Sequence, residues 1–341
     1  MKRNKLFINI LVGLVGCVLM NPAPSVFAKT IDLKFATGFS PKHTMQTKVF
    51  EPWAEKINQM SNGKVKVTFF PGGALGKTAD HYGLAEKGIA DISYTLHDYT
   101  PGRFPLTSVF ELPFIITSAT STSRAMWRVY EEFPEFQKEY EKVKLLALFC
   151  HPPGNFNTVH KPIKALEDFQ GMKFRTASAP VTEALKLFGA VPVNMPITET
   201  YTALERGVVE GTVLPWEGNF VFKLAELLKY GTETDFYTMT MLVSMNKRKW
   251  ESLPEDVKKI IEETTGMAMS VEAGKVYDQT DLPMKQLCLK KGMQAIEFPP
   301  EEEAKLEKIT LPLREEWVKK MEDDGLPGQK ILDAVVRYVK E

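Results

Sequence analysis

The chain has 341 residues, and its 43 basic side chains are matched by 43 acidic ones. Balanced charge of this kind lacks the basic footprint of a nucleic-acid binder. With 44% hydrophobic residues, the composition is that of a globular chain able to bury a sizeable core.

The N-terminus reads as an export signal. Lys2, Arg3 and Lys5 precede an apolar run from Leu6 to Met20, short of the about 20 residues that span a membrane. Asn21, Pro22 and Pro24 then break the run, and Val26-Phe27-Ala28 sets small residues where a signal peptidase reads them. Cleavage is expected after Ala28, with the mature protein in the periplasm. Leu14-Val15-Gly16-Cys17 also fits a lipid-attachment box, so a lipoprotein acylated on Cys17 is the alternative. The apolar run continues through Val18, Leu19 and Met20, which suits the cleaved signal better. Removing the first 28 of the 341 residues leaves 313, about two domains' worth. The charge becomes 40 basic against 43 acidic side chains, because the three basic residues removed come from 43.

Past the signal, Ile31, Leu33 and Phe35 alternate with Asp32 and Lys34, the pattern of a half-buried strand. A helix should follow, with Ser40 as N-cap, Pro41 at its first position, and Val49, Trp53, Ile57 and Met60 on one face up to Asn62-Gly63. Val65, Val67 and Phe69 then alternate again. Two strands joined by a helix must run parallel, because a hairpin needs only a tight turn.

The same grammar returns later. Lys173-Phe174-Arg175 is strand-like, Pro180 to Phe188 helical with Gly189 as its stop, and Val191-Pro192-Val193 strand-like again. Glu86-Lys87-Gly88-Ile89-Ala90-Asp91 matches Glu205-Arg206-Gly207-Val208-Val209-Glu210 class for class, each a helix end capped by a left-handed glycine before a strand. The expectation is an α/β fold of two similar domains with a ligand cleft between them. Helical stretches after Pro254, around Leu306 to Met321 and Ile331 to Val339, would brace both. Residues 29–152 and about 238–283 are assigned to one domain, and 153–237 and about 284–341 to the other. Segments 151–154 and 236–240 are the candidate hinges. Cys150 and Cys288 are too few for a disulfide framework and wrongly spaced for a metal site. Two buried free thiols are expected, and a disulfide between them is the alternative.

Catalytic signatures are missing: there is no nucleophile elbow, zinc-binding histidine pair or phosphate loop. Of the five histidines, His43, His81, His97, His151 and His160, none has a partner that spacing identifies. No catalytic residue, metal or cofactor is expected.

Several segments carry a family likeness: VKVTFFPGGALG (65–76), EKGIADIS (86–93), DYTPGRFPL (98–106), ELPF (111–114), FQGMKFRTASAP (169–180) and VNMPITETYTALERGVVEGT (193–212). In order and spacing the chain resembles the TRAP transporter solute-binding proteins of the DctP type, through nearly all of its mature length. The resemblance implies a periplasmic-binding-protein-like fold. It also implies capture of a small carboxylate by domain closure, and delivery to TRAP membrane permease subunits by a monomer that binds no nucleic acid. A receptor feeding a sensor kinase or chemoreceptor is the alternative, and an exported hydrolase the weakest reading.

By the same resemblance Arg175 pairs with the solute carboxylate. A guanidinium is always charged and offers a planar fork that fits a carboxylate. Spacing alone favours a strand-end arginine in a salt bridge, and it is the resemblance that reverses this. Such bonds contribute about 1.5 to 3 kcal/mol each, whereas micromolar binding needs about 8, so burial between the domains must supply the rest. Where sialic-acid-binding members carry a second basic residue and an asparagine, this chain has Asn155 and Val213-Leu214. Both changes point to an aromatic or apolar monocarboxylate, a keto acid or an amino acid. Trp216 could stack on a flat solute and Glu217 accept from a donor, with core packing and solvation as their alternatives. His43 and Tyr99 are placed at the cleft by analogy, with Phe39 and Phe156 as apolar walls. Arg103 and Glu111 are read as structural.

Overall fold

The computed structural model describes residues 30–341, so the export signal and Cys17 lie outside the described residues. Among these residues eleven strands form two sheets: β1 (Ile31–Thr37), β2 (Val65–Phe70), β3 (Ile92–Leu96), β4 (Val143–Cys150), β5 (Asn155–Thr158), β6 (Lys173–Thr176), β7 (Val191–Asn194), β8 (Gly211–Leu214), β9 (Tyr230–Glu233), β10 (Thr240–Asn246) and β11 (Gln294–Glu297). The first sheet runs β2-β1-β3-β10-β4 and the second β11-β9-β5-β8-β6-β7. Strand β1 lies parallel to β2 and β3, and β6 parallel to β7 and β8. The fold is the expected pair of α/β domains.

The duplication reaches individual hydrogen bonds. Lys34 N–H donates to the Asp91 carboxylate at 2.8 Å, and Lys173 N–H donates to the Glu210 carboxylate at 3.1 Å. Asp91 and Glu210 return their own N–H groups to the Lys34 and Lys173 carbonyls at 3.0 and 2.8 Å. Gly88 and Gly207 stand at φ 75° and 67° before these acids, the left-handed stops that the sequence called for. Counting from the two lysines, Arg175 on β6 occupies the place of Ala36 on β1.

One expectation needs correcting. Ser40 does not cap a helix starting at Pro41: His43 N–H returns to the Ser40 carbonyl at 2.9 Å and Met45 N–H donates to His43 Nδ1 at 3.2 Å, making a turn. Helix begins at Thr44, passes through a wide π turn at Gln46–Phe50, and becomes regular α only over Glu51–Met60. Pro52 explains the irregularity, since it has no N–H to give to the carbonyl four residues back.

The chain crosses between sheets after Cys150 and after Glu233, at the two candidate hinges, and a third time along the helix Met267–Lys290. That helix of 24 residues, about 36 Å long, packs on β4 and the helix Ala119–Glu132 and then on the helix Trp216–Val221. Its Asp278 accepts the N–H groups of Ala119 and Thr120, both at 2.9 Å, capping the neighbouring helix. Near the C-terminus, the helix Pro300–Asp323 lies on the helix Ala179–Leu187 and donates Trp317 Nε1 to the Pro105 carbonyl, and the helix Gly328–Tyr338 lies on Ala119–Glu132. Both domains are braced in this way. Cys150 and Cys288 are buried and free, and burial pushes both thiols up to about 12.

Candidate functional site

A narrow cavity lies between the sheets, at the C-terminal ends of β3, β6 and β8. Ligands gather at such strand ends in open α/β sheets.

Arg175, on β6, is 1% exposed. Its Nε donates to the Met195 carbonyl at 3.0 Å, while its Nη2 is buried without a partner. A buried guanidinium edge with no acceptor is costly, and an anion in the cavity would satisfy it. Beside it, the His151 ring is neutral: Met239 N–H donates to Nε2 at 3.1 Å, so the proton sits on Nδ1, which donates to the Pro152 carbonyl at 2.5 Å. Burial lowers His151 to about 4. His43, also buried and lowered to about 4, stacks on Phe39 at 4.8 Å between ring centres. Phe222 of the second domain closes on both at 5.8 and 5.9 Å. Tyr94 and Tyr277 bring their hydroxyls within 3.4 Å of each other.

Glu217 lines the same cavity. Thr44 donates to its Oε1, its own N–H donates to Asp281 at 2.8 Å, and burial pushes the carboxyl up to about 7. A group so poised can both accept and donate a hydrogen bond near neutrality.

Of the residues singled out in the sequence, Arg175, Glu217, His43 and Phe39 thus meet in one cavity. Tyr99 sits beside them: its hydroxyl accepts the Ile197 N–H at 3.1 Å and is near enough to feel the charge of Arg175. Trp216 and Asn155 stand elsewhere, on a separate groove with Glu233 and Asp235. The Trp216 ring packs over Gly231, where a Cβ would come within 2.4 Å, and its Nε1 donates to Glu233 at 3.1 Å. Trp216 and Glu217 differ because successive helical residues point about 100° apart. Asn155 Oδ1 instead accepts the Thr234 N–H at 3.3 Å. Phe156 is wholly buried in the second domain's core, its ring 4.7 Å from that of Phe169. Arg103 pairs with Glu86 at 3.2 Å and covers the Tyr82 ring. Sequence reasoning missed Phe222, Tyr94, Tyr277, His151, Met239 and Met241, which reach the cavity from segments far apart in the chain.

Residues 35–320 match the family model described as "bacterial extracellular solute-binding protein, family 7" (DctP). A marine-metagenome TRAP solute-binding protein specific for aromatic acid ligands, solved with 3-hydroxybenzoate, superimposes with a TM-score of 0.88 at 34% identity, covering 92% of this chain and 98% of its own. A TRAP solute-binding protein of Rhodoferax ferrireducens T118, solved with copurified benzoate, gives 0.88 at 32% identity over 91% and 98%. The outer membrane transporter protein TsaT of Comamonas testosteroni is 28% identical over 305 residues, 86% of this chain and 87% of that one. The chain belongs to the DctP family of bacterial extracellular solute-binding proteins.

Proposed function

We propose that this protein is the periplasmic receptor of a TRAP-type transporter and captures a small aromatic monocarboxylate between its two domains. The observation that carries this reading is the unpartnered Nη2 of buried Arg175 in a cavity walled by Phe39, Phe222, Tyr94 and Tyr277. Arg175 is the only Lys or Arg among the lining residues, and the two lining histidines are held neutral by burial. One carboxylate is therefore matched, and a second would meet Glu217. Two related structures that hold benzoate and 3-hydroxybenzoate support the same class. On this reading the protein acts as a monomer with no catalytic step, the domains divide near 152 and 237, and closure presents the loaded form to the permease.

A thermal-shift screen with benzoate, 3-hydroxybenzoate, phenylacetate, succinate and a sugar acid tests it. A ligand at 100 times its dissociation constant stabilises by about 2.7 kcal/mol. The aromatic acids should shift the wild type and leave Arg175→Ala unmoved. A shift that survives in Arg175→Ala, or appears only with succinate, overturns the reading.

A further inference from the structure

A buried guanidinium ordinarily takes a nearby carboxylate as its partner. Asp98 is near enough to feel the charge of Arg175, yet Nη2 of Arg175 and Oδ2 of Asp98 are both buried and both lack a hydrogen-bond partner. Asp98 instead shares the adjoining cavity with Glu111, close enough for a hydrogen bond once one of the two carries a proton, and Glu111 Oε2 is likewise buried and without a donor. Two carboxyl oxygens in contact are satisfied only when a proton lies between them. Glu111 Oε1 accepts Thr240 N–H at 2.8 Å and the Thr240 hydroxyl at 2.6 Å, whereas no donor reaches Asp98 Oδ2, so the proton of the pair belongs on Asp98.

We propose that Asp98 and Glu111 hold one proton between them, and that this neutral Asp98 keeps Arg175 free of an internal counter-ion so that its charge is left for the solute. The inference rests on Arg175 as solute anchor. Asp98 and Glu111 are then positioning residues that act through Arg175.

Burial first, and then the charge of Glu111, push Asp98 well above the ordinary carboxylate range, against the pull of the Ala179 N–H and of Arg175. The other titratable groups facing the pair are Tyr99 and Tyr237, held neutral by burial, and His97, lowered to about 3. His97 Nε2 is taken up by the Tyr140 hydroxyl at 2.9 Å. Lys320 and Asp324 stand at the mouth of the adjoining cavity with opposite charges. Arg175 is thus the buried cation that an ionised Asp98 would meet, and an ionised Asp98 would also repel a carboxylate beside that arginine.

Benzoate binding by calorimetry at pH 5 and pH 8, joined to infrared spectra, tests the idea. In Glu111→Gln an amide donor replaces the shared proton, Asp98 ionises, and benzoate affinity should fall about tenfold at pH 8 and less at pH 5. Adding Asp98→Asn to that variant should restore affinity to within about threefold of wild type, a recovery that a merely structural defect would not show. The wild type should also carry a protonated-carboxyl C=O band that Asp98→Asn lacks. Unchanged affinity in Glu111→Gln, failure of the double variant to recover, or absence of the band overturns the proposal. Should the wild type bind no benzoate, the reading of the solute fails, and the infrared band alone still decides this inference.

Discussion

Thr44 of the first domain donates its hydroxyl to Oε1 of Glu217 on the second. With Tyr99 accepting the Ile197 N–H, this bond ties the domains across the cavity, so the described arrangement is a closed one. Thr44→Val keeps the shape and removes the donor. A neutral donor to a buried carboxyl contributes about 1 kcal/mol net, so benzoate affinity should weaken about fivefold. Calorimetry checks it, and an unchanged dissociation constant would remove this bond from the closure mechanism.

Glu217 also sets a pH dependence. Its carboxyl is raised to about 7 in the folded protein, so between about pH 4.5 and 7 the folded state keeps a proton that the unfolded state has released. Stability must fall as pH rises through that window, by at most about 3 kcal/mol. His43 and His151, lowered to about 4, act the other way: the unfolded chain protonates first, and stability is lost as pH falls from about 6.5 to 4. Comparison with Glu217→Gln isolates the carboxyl. In saturating benzoate, the melting temperature of the wild type relative to the variant should drop by a few degrees between pH 5 and pH 8. A constant difference would show that Glu217 stays ionised throughout.

Gly154 occupies the first crossing between the sheets, where a Cβ would come within 2.4 Å of Tyr237 Cε1. Tyr237 cannot turn aside, because its hydroxyl donates to the Val213 carbonyl at 2.7 Å while its own carbonyl accepts Gly154 N–H at 2.8 Å. Gly154→Ala should therefore cost about 1 to 3 kcal/mol. Denaturant unfolding would read this as a lower midpoint at unchanged slope, and a wild-type midpoint would mean that the hinge repacks freely.

The parts of this architecture that were legible in the sequence depend on neighbours close in the chain. Alternation in Ile31 to Phe35, helical spacing from Val49 to Ile57, and the glycines at 88 and 207 each report a local backbone preference, and together they give the duplicated α/β units. Arg175 was legible through its motif. The walls were not: Phe222 follows a short helix ended by Lys223 at φ 60°, and Tyr277 arrives on a helix that crosses between domains. Their meeting with Phe39 is a product of tertiary packing that no spacing encodes. Thr44 was hidden for the opposite reason, since Ser40-Pro41 imitates a helix start, whereas the turn that His43 N–H closes on the Ser40 carbonyl delays the true one to Thr44.

Trp216 gives the sharpest test of where the solute lies. Reading the sequence, an aromatic beside Glu217 at a strand end invites stacking on a flat acid, but the ring is spent on Gly231 and Glu233, on a groove apart from Arg175. Trp216→Phe should lower the melting temperature, through the lost indole hydrogen bond and the space left over Gly231, and leave benzoate affinity within about twofold. Phe39→Ala should do the reverse in kind, opening the cavity wall against which His43 stacks and weakening benzoate about tenfold, the scale of a lost aromatic contact with its buried area. If Trp216→Phe loses affinity at unchanged stability while Phe39→Ala binds normally, the solute occupies the Trp216 groove and Arg175 must be assigned another role.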